Sequence, residues 1–182
     1  MAAGTFDDRD GLIWFNGEWV DWRDARVHVL THGLHYGSCV FEGERMYSGQ
    51  IFKLREHTER LFYSAETLGF KIPFTVEEID QACIDACTKN GIVDGYIRPV
   101  AWRGSEMMGV SAQQNRINVA IAAWDWPSYF SPELREKGIK LETSKWHRPA
   151  PDCAPVHAKA AGLYMICTLS KHTAESHGCQ DA

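Results

Sequence analysis

From Arg116 to Trp124 the chain reads Arg-Ile-Asn-Val-Ala-Ile-Ala-Ala-Trp, a run that is almost wholly apolar after its first residue. An alternating strand needs cover on one face, whereas an unbroken apolar one needs neighbours all round it. The run therefore predicts a strand at the centre of a sheet. Other segments predict its companions. Leu12-Ile13-Trp14-Phe15 and Glu18-Trp19-Val20 flank Asn16-Gly17, a pair that accepts the positive backbone angles of a two-residue hairpin turn. Cys39 to Tyr47, the turn Ser48-Gly49 and Gln50 to Leu54 predict a second hairpin. Gly95 to Arg103 predicts a further strand, in which Pro99 lacks a donor and belongs at an edge or a bulge.

Between these strands the period changes. Leu54, Leu61, Ala65 and Leu68 form one apolar stripe and predict a helix from Leu54 to Gly69. Thr75 and Glu78 form a capping box that opens a second helix, closed by Asn90-Gly91. The sum is an α+β unit with helices on one side of a largely antiparallel sheet. The turn formers between Trp126 and Pro132 suggest a division into a small α+β domain at 1–125, a linker at 126–136 and the start of a larger domain at 137–182. That last part should hold a strand from Gly138 to His147, a proline-rich loop, and a helix from about Ala160 to His177. One strand and one helix cannot close a core, so the second unit reads as incomplete.

Composition excludes several classes. A hydrophobic content of 45% supports a packed core, and a net charge of -5 with mixed signs offers no basic face to a nucleic acid or an anionic membrane. Met1 to Asp10 lacks a targeting pattern and no apolar run reaches membrane-spanning length, so a cytoplasmic protein is expected. The cysteines at 39, 83, 87, 153, 167 and 179 show no CxxC spacing and read as reduced thiols, with Cys83 and Cys87 as a small buried pair on one helix face. His28, His32 and His35 have the spacing of a shared helix face. With no acid or cysteine completing a ligand set in that run, they read as hydrogen-bonding groups and no metal is expected.

Lys159 is the candidate for chemistry. It stands among small side chains in His157-Ala158-Lys159-Ala160-Ala161-Gly162, at the start of a helical pattern and after the loop from Arg148 to Pro155. Such a loop delivers a side chain into a cleft, and a poorly hydrated lysine more readily provides the neutral amine that attacks a carbonyl. The plain alternative is a solvated lysine on an amphipathic helix.

Six blocks in order, Ile13-Trp14-Phe15-Asn16-Gly17-Glu18, Leu34-His35-Tyr36-Gly37, Phe41-Glu42-Gly43, Arg55-Glu56-His57 with Arg60-Leu61, Tyr96-Ile97-Arg98-Pro99 and Ala158-Lys159-Ala160, resemble the branched-chain amino acid aminotransferases of class IV. The resemblance implies the D-amino acid aminotransferase-like fold, pyridoxal 5'-phosphate as cofactor, and transfer of an amino group from a branched-chain or other aliphatic L-amino acid to 2-oxoglutarate. It implies that Lys159 forms the Schiff base, Arg60 grips the cofactor phosphate, and Tyr164 bonds the cofactor's phenolic oxygen. By the same carry-over Tyr36, Phe41, Tyr96, Trp126 and Tyr129 line an aromatic side-chain pocket, and Arg98 takes the distal carboxylate of glutamate. A homodimer, with residues of one subunit near the other's pocket, is also implied.

Each of these residues has a structural reading as well. Arg60 has Glu56 four residues before it as a partner, Tyr164, Phe41 and Trp126 suit a core, and Arg98 suits an ion pair with a neighbouring strand. Two positions depart from the family pattern: Glu44 stands where Ile or Leu is usual, placing charge on the strand beside the pocket, and Leu163 replaces an asparagine. They keep relatives that act on D-amino acids or primary amines, or that cleave aminodeoxychorismate, in play. In the family the acid that bonds the pyridine nitrogen lies beyond position 182, so poor transamination by these residues alone is expected, and a non-catalytic fragment and a metal protein are the rival readings.

Overall fold

The computed structural model describes residues 5–126, 128 and 130–182; Tyr129 lies outside the described residues. Seven strands form one antiparallel sheet: β1 (Leu12–Phe15), β2 (Glu18–Asp21), β3 (Cys39–Phe41), β4 (Glu44–Tyr47), β5 (Gln50–Ile51), β6 (Gly95–Arg103) and β7 (Ile117–Asp125). Their order is β2-β1-β7-β6-β4-β5, with β3 also paired to β6. The apolar run thus becomes β7, held between β1 and β6 as its composition requires. The Asn16-Gly17 hairpin forms as expected, with φ of 53° and 95° at the two turn residues.

Cys39 to Tyr47 is interrupted where one strand was expected. The register from Phe41↔Val100 to Glu44↔Ile97 carries straight across the gap and sets Glu42 opposite Pro99. Glu42 N–H donates to the Pro99 carbonyl at 2.9 Å, but proline has no N–H to return. Pro99 therefore sits inside β6, neither at an edge nor in a register shift, and its missing donor produces the gap between β3 and β4.

Helix α2 (Leu54–Thr67) and helix α3 (Val76–Lys89) lie on one side of the sheet, as expected, and α3 carries the Thr75–Glu78 capping box. The core lies between them and the sheet, built from Val40, Met46, Leu61, Ile79, Ile97, Val119 and Ile121 among others. Cys83 and Cys87 are fully buried in it, as the pairing on one helix face suggested. Because side chains alternate along a strand, the residues between these core positions, such as Phe41, Tyr96 and Arg98, face the other side.

A short helix, α1 (His32–Tyr36), precedes β3, and two more, α4 (Pro132–Lys137) and α5 (Met165–Ser176), lie in the last third of the chain. The expected strand at 138–147 does not form. It shrinks to a single bridge from Leu141 to Asp181, with Gln180 N–H donating to the Lys140 carbonyl and Glu142 N–H to the Asp181 carbonyl beside it, too short a pairing to make a ladder. The last helix begins at Met165, well after Ala160. Ala160 is extended and bridges Val40, so the stretch around Lys159 runs alongside β3 instead of opening a helix. The three histidines do not share a helix face either: His28 precedes α1 and caps the Leu30 N–H, His32 lies against Ser38 and the Gly109 carbonyl, and His35 against the Val29 carbonyl.

Candidate active site

The site forms at the outer edge of β3. Phe41 N–H donates to the Lys159 carbonyl at 3.2 Å, and Lys159 N–H donates to Ser64 Oγ on α2 at 3.0 Å. With its backbone fixed from both sides, Lys159 points its amine at Tyr164, where Nζ donates to Oη at 2.8 Å. The amine lies 5.0 Å from the Phe41 ring centre and 5.2 Å from that of Tyr164, and the two rings meet edge to face at 4.7 Å. No carboxylate pairs with Lys159 among the described residues. The 3-10 turn Ala161–Leu163 makes this geometry possible, since it folds Tyr164 back over the lysine and packs Gly162 closely against Gly37.

Arg60 approaches from α2, one helical turn before Ser64. Its Nε and Nη2 donate to the two carboxylate oxygens of Glu42 at 2.5 and 2.7 Å, and His57 Nδ1 lies 2.9 Å from the same carboxylate. Burial alone would push the Glu42 carboxyl up; the bonds from Arg60 and His57 outweigh it and hold the group below the usual glutamate range. The hydrogen bonds that Arg60 donates to Glu42, with the nearby Tyr164 adding a smaller effect, raise its guanidinium in turn. Glu56, the partner suggested by helical spacing, bonds Lys53 instead. Arg60 is half exposed, and its Nη1 has no protein partner among the described residues. A planar cation fixed on one edge and open on another suits an anion.

Arg98 also stands against Phe41. Its guanidinium carbon lies 4.7 Å from the Phe41 ring centre and 5.2 Å from that of Tyr96, whose Oη accepts from Nη2 at 3.0 Å. Its Nε is buried without a hydrogen-bond partner, and no acid pairs with it among the described residues, so the ion pair with a neighbouring strand does not form. Two hollows meet at this cation. One, of about 350 Å³, is lined by Phe6, Tyr96, Trp124 and Trp126; the other, about 400 Å³ and mostly apolar, runs over the outer sheet face past Leu34, Cys39, Val100 and Ala161. The Cys39 thiol in that second hollow is pushed up to about 11 by burial, against the pull of Arg98, and so stays protonated.

The structure brings together Lys159, Tyr164, Phe41, Arg98 and Tyr96, with Trp126 joined through Tyr96 at 6.1 Å between ring centres, and Arg60 beside Tyr164. Tyr36 does not join them: it is 47% exposed on α1 and stacks on His32 at 4.6 Å. Glu44 is corrected more sharply, because it faces the helices rather than the pocket and lies in line with Val40, Glu42 and Met46. Sequence reasoning gave no role to Glu42 or Ser64. Two signals were present: an acid at a position where the strand's alternation demands an apolar residue, and a serine one turn from Arg60 on the same helix face.

Comparison with known proteins identifies the family to which this fold belongs. The amino-transferase class IV family matches residues 39–182. A probable branched-chain-amino-acid aminotransferase of Rickettsia conorii is 46% identical over 170 residues, which are 93% of this chain and 57% of the relative. The crystal structure of Escherichia coli branched-chain amino acid aminotransferase superposes with a TM-score of 0.90 at 41% identity, over 94% of this chain and 58% of that one. The T.th. branched-chain amino acid aminotransferase complexed with N-(5'-phosphopyridoxyl)-L-glutamate gives 0.87 at 40% identity, over 94% and 57%. This chain thus spans less than three fifths of the length of each of these three proteins. A family match over residues 39–182 and a fold shared across nearly all of its residues place the chain in the class IV aminotransferase family.

Proposed function

We propose that the protein belongs to a pyridoxal 5'-phosphate-dependent transaminase that passes the amino group of a branched-chain or other aliphatic L-amino acid to 2-oxoglutarate. The observation that carries this reading is the Lys159 amine, free of any described carboxylate and 2.8 Å from the Tyr164 hydroxyl. The residues suit the cofactor. Lys159 would hold its aldehyde, Tyr164 its ring oxygen and the open edge of Arg60 its phosphate. When bound, the cofactor supplies an electron-accepting ring that stabilises negative charge at a substrate carbon. With its amine free, Lys159 would be the base that takes the substrate Cα proton and returns it, and the Tyr164 hydroxyl would keep the lysine amine oriented. The Phe41 ring, 5.0 Å from the lysine amine, would keep water from one side of it.

Arg98 supports the choice of amino acceptor. A half-buried cation without a described acid has room for the distal carboxylate of glutamate or 2-oxoglutarate, and the apolar hollow beside it suits an aliphatic side chain. The glutamate adduct bound by the T.th. relative is consistent with that pairing. The D-amino acid and primary-amine alternatives rested partly on Glu44, which faces away from the pocket. A homodimer would account for Tyr36, exposed on α1 and away from its own cluster yet available to a neighbouring copy. The division into a domain at 1–125, a linker at 126–136 and a cofactor domain from 137 belongs to the same reading.

Borohydride reduction tests the assignment. Treated with pyridoxal 5'-phosphate and then reductant, the protein should carry one pyridoxyl group on the peptide containing Lys159, and Lys159→Ala should abolish both that label and amino transfer. Reduction onto another lysine, with Lys159 unlabelled, would refute the reading.

A further inference from the structure

Glu44 has no exposed surface, and neither of its carboxylate oxygens has a hydrogen-bond partner among the described residues. Its surroundings explain why that is unusual. Two residues along the same strand side lies the Glu42 carboxylate; from α3 come Asp80 and the fully buried thiols of Cys83 and Cys87. Across the ladder on β6 its partner is Ile97. The charged groups of α2 on this side are already engaged, Arg60 and His57 by Glu42 and Arg55 by Asp80, while Thr58 donates to Asp80. Among the described residues, Glu44 therefore meets two carboxylates, two thiols and hydrocarbon, with no positive charge to offset its own.

We propose that Glu44 is a proton-sensitive catch in the fold: with its carboxyl neutral, its side chain stays packed beside Cys83 and Cys87 of α3, and its ionisation opens that packing. A neutral carboxyl among thiols and methyl groups costs an unmade hydrogen bond, whereas an unpaired carboxylate there costs much more. Burial, reinforced by Glu42 and Asp80, accordingly pushes the group up to about 8. Opening lets water in and returns it to the ordinary glutamate range. The closed form thus keeps a proton that the open form releases, so closure is fully favoured in acid and loses ground as pH rises from that range through about 8. Glu42 titrates in the opposite sense, its folded value being lowered, so the two carboxylates on one strand face are distinguishable by their pH response.

Cys83 and Cys87 supply the readout. Both are closed to solvent in the packed form, and a thiol-reactive aromatic disulfide reaches them only on opening. The wild-type, Glu44→Gln and Glu44→Ile chains would be labelled without cofactor from about pH 6 to about pH 9 and the modified peptides quantified by mass spectrometry. Dividing the wild-type rate by the Glu44→Gln rate cancels the growth of thiolate with pH. That ratio should rise roughly tenfold or more across the range, while exposed Cys153 labels alike in all three chains. A ratio that stays level overturns the proposal, as does a Glu44→Gln chain that opens more readily than wild type at the alkaline end. Glu44→Ile supplies the same comparison if the amide prevents folding. Because labelling involves neither cofactor nor amino transfer, this inference and the transaminase reading fail independently.

Discussion

Glu42 and Arg98 sit on opposite faces of the sheet, one buried and paired, the other a cation left waiting. Glu42 has no exposed surface and spends both oxygens on Arg60 and His57, so Glu42→Gln exchanges a charge-assisted pair for one weak bond and a misplaced amide donor. Arg60 is half exposed and recovers some hydration, which keeps the expected loss to about 1–3 kcal/mol. The sign with pH follows from a folded carboxyl held below its unfolded value: the stabilisation is present above the ordinary glutamate range and is lost as pH falls through the folded value. Urea midpoints measured between neutrality and acid should converge for wild type and Glu42→Gln at the acid end. Arg98 predicts a change in preference instead. Arg98→Gln removes the charge that would meet a distal carboxylate, and in the active enzyme it should lower kcat/KM for glutamate about tenfold to a hundredfold while leucine changes little. Equal losses for both amino acids would count against Arg98 as the carboxylate receptor.

Helices and strands announced themselves wherever the bonds that define them close within a few residues. The α3 capping box is one case: Glu78 N–H donates to Thr75 Oγ1 at 3.2 Å and Thr75 N–H to Glu78 Oε2 at 2.6 Å, three residues apart. Thr75→Ala should lower stability by about 1 kcal/mol without altering the site, a shift visible in urea unfolding and absent from any cofactor titration. The Asn16-Gly17 hairpin and the apolar β7 were legible for the same reason, since turn chemistry and strand period are local properties. Lys159 was legible as a candidate reactive group, but its backbone was not. It lies outside any helix because Ser64, 95 residues earlier, and Phe41 take up its N–H and carbonyl. Glu42 escaped notice as a functional group for a related reason: its partners Arg60 and His57 lie on α2, beyond a hairpin, and only the folded sheet reveals which face it points to. The segment 138–147 shows the converse, a β-like pattern that stays irregular where it has no ladder to join.

Stability cannot be even across the whole molecule. Strands β1 to β7, α2 and α3 share one core, whereas α5 buries only Ala174 and leaves Met165 and Leu169 exposed, with Leu141 and Trp146 also open nearby. What ties α5 down is largely polar: Ser144 to Ser170 at 2.6 Å, His177 to Glu142 at 2.7 Å, and a bond from Lys171 to the Gln180 carbonyl. Exposed ion pairs and hydroxyl contacts of this kind contribute little beside apolar burial, at roughly 25 cal/mol per Å². No helix among the described residues is long and apolar enough to cross a membrane. The expectation is two levels of opening, with β6, β7 and α3 exchanging their amide hydrogens through global unfolding and α5 through local fraying. Hydrogen-exchange mass spectrometry at neutral pH should find α5 amides labelled at least about a hundredfold faster than those of β7. A second copy laid over the exposed side of α5 would add apolar burial, so raising protein concentration should then slow α5 while leaving β7 unchanged. An α5 that exchanges as slowly as β7 in dilute solution would mean that the polar tethers bind it into the core's cooperative unit, contrary to its pattern of burial.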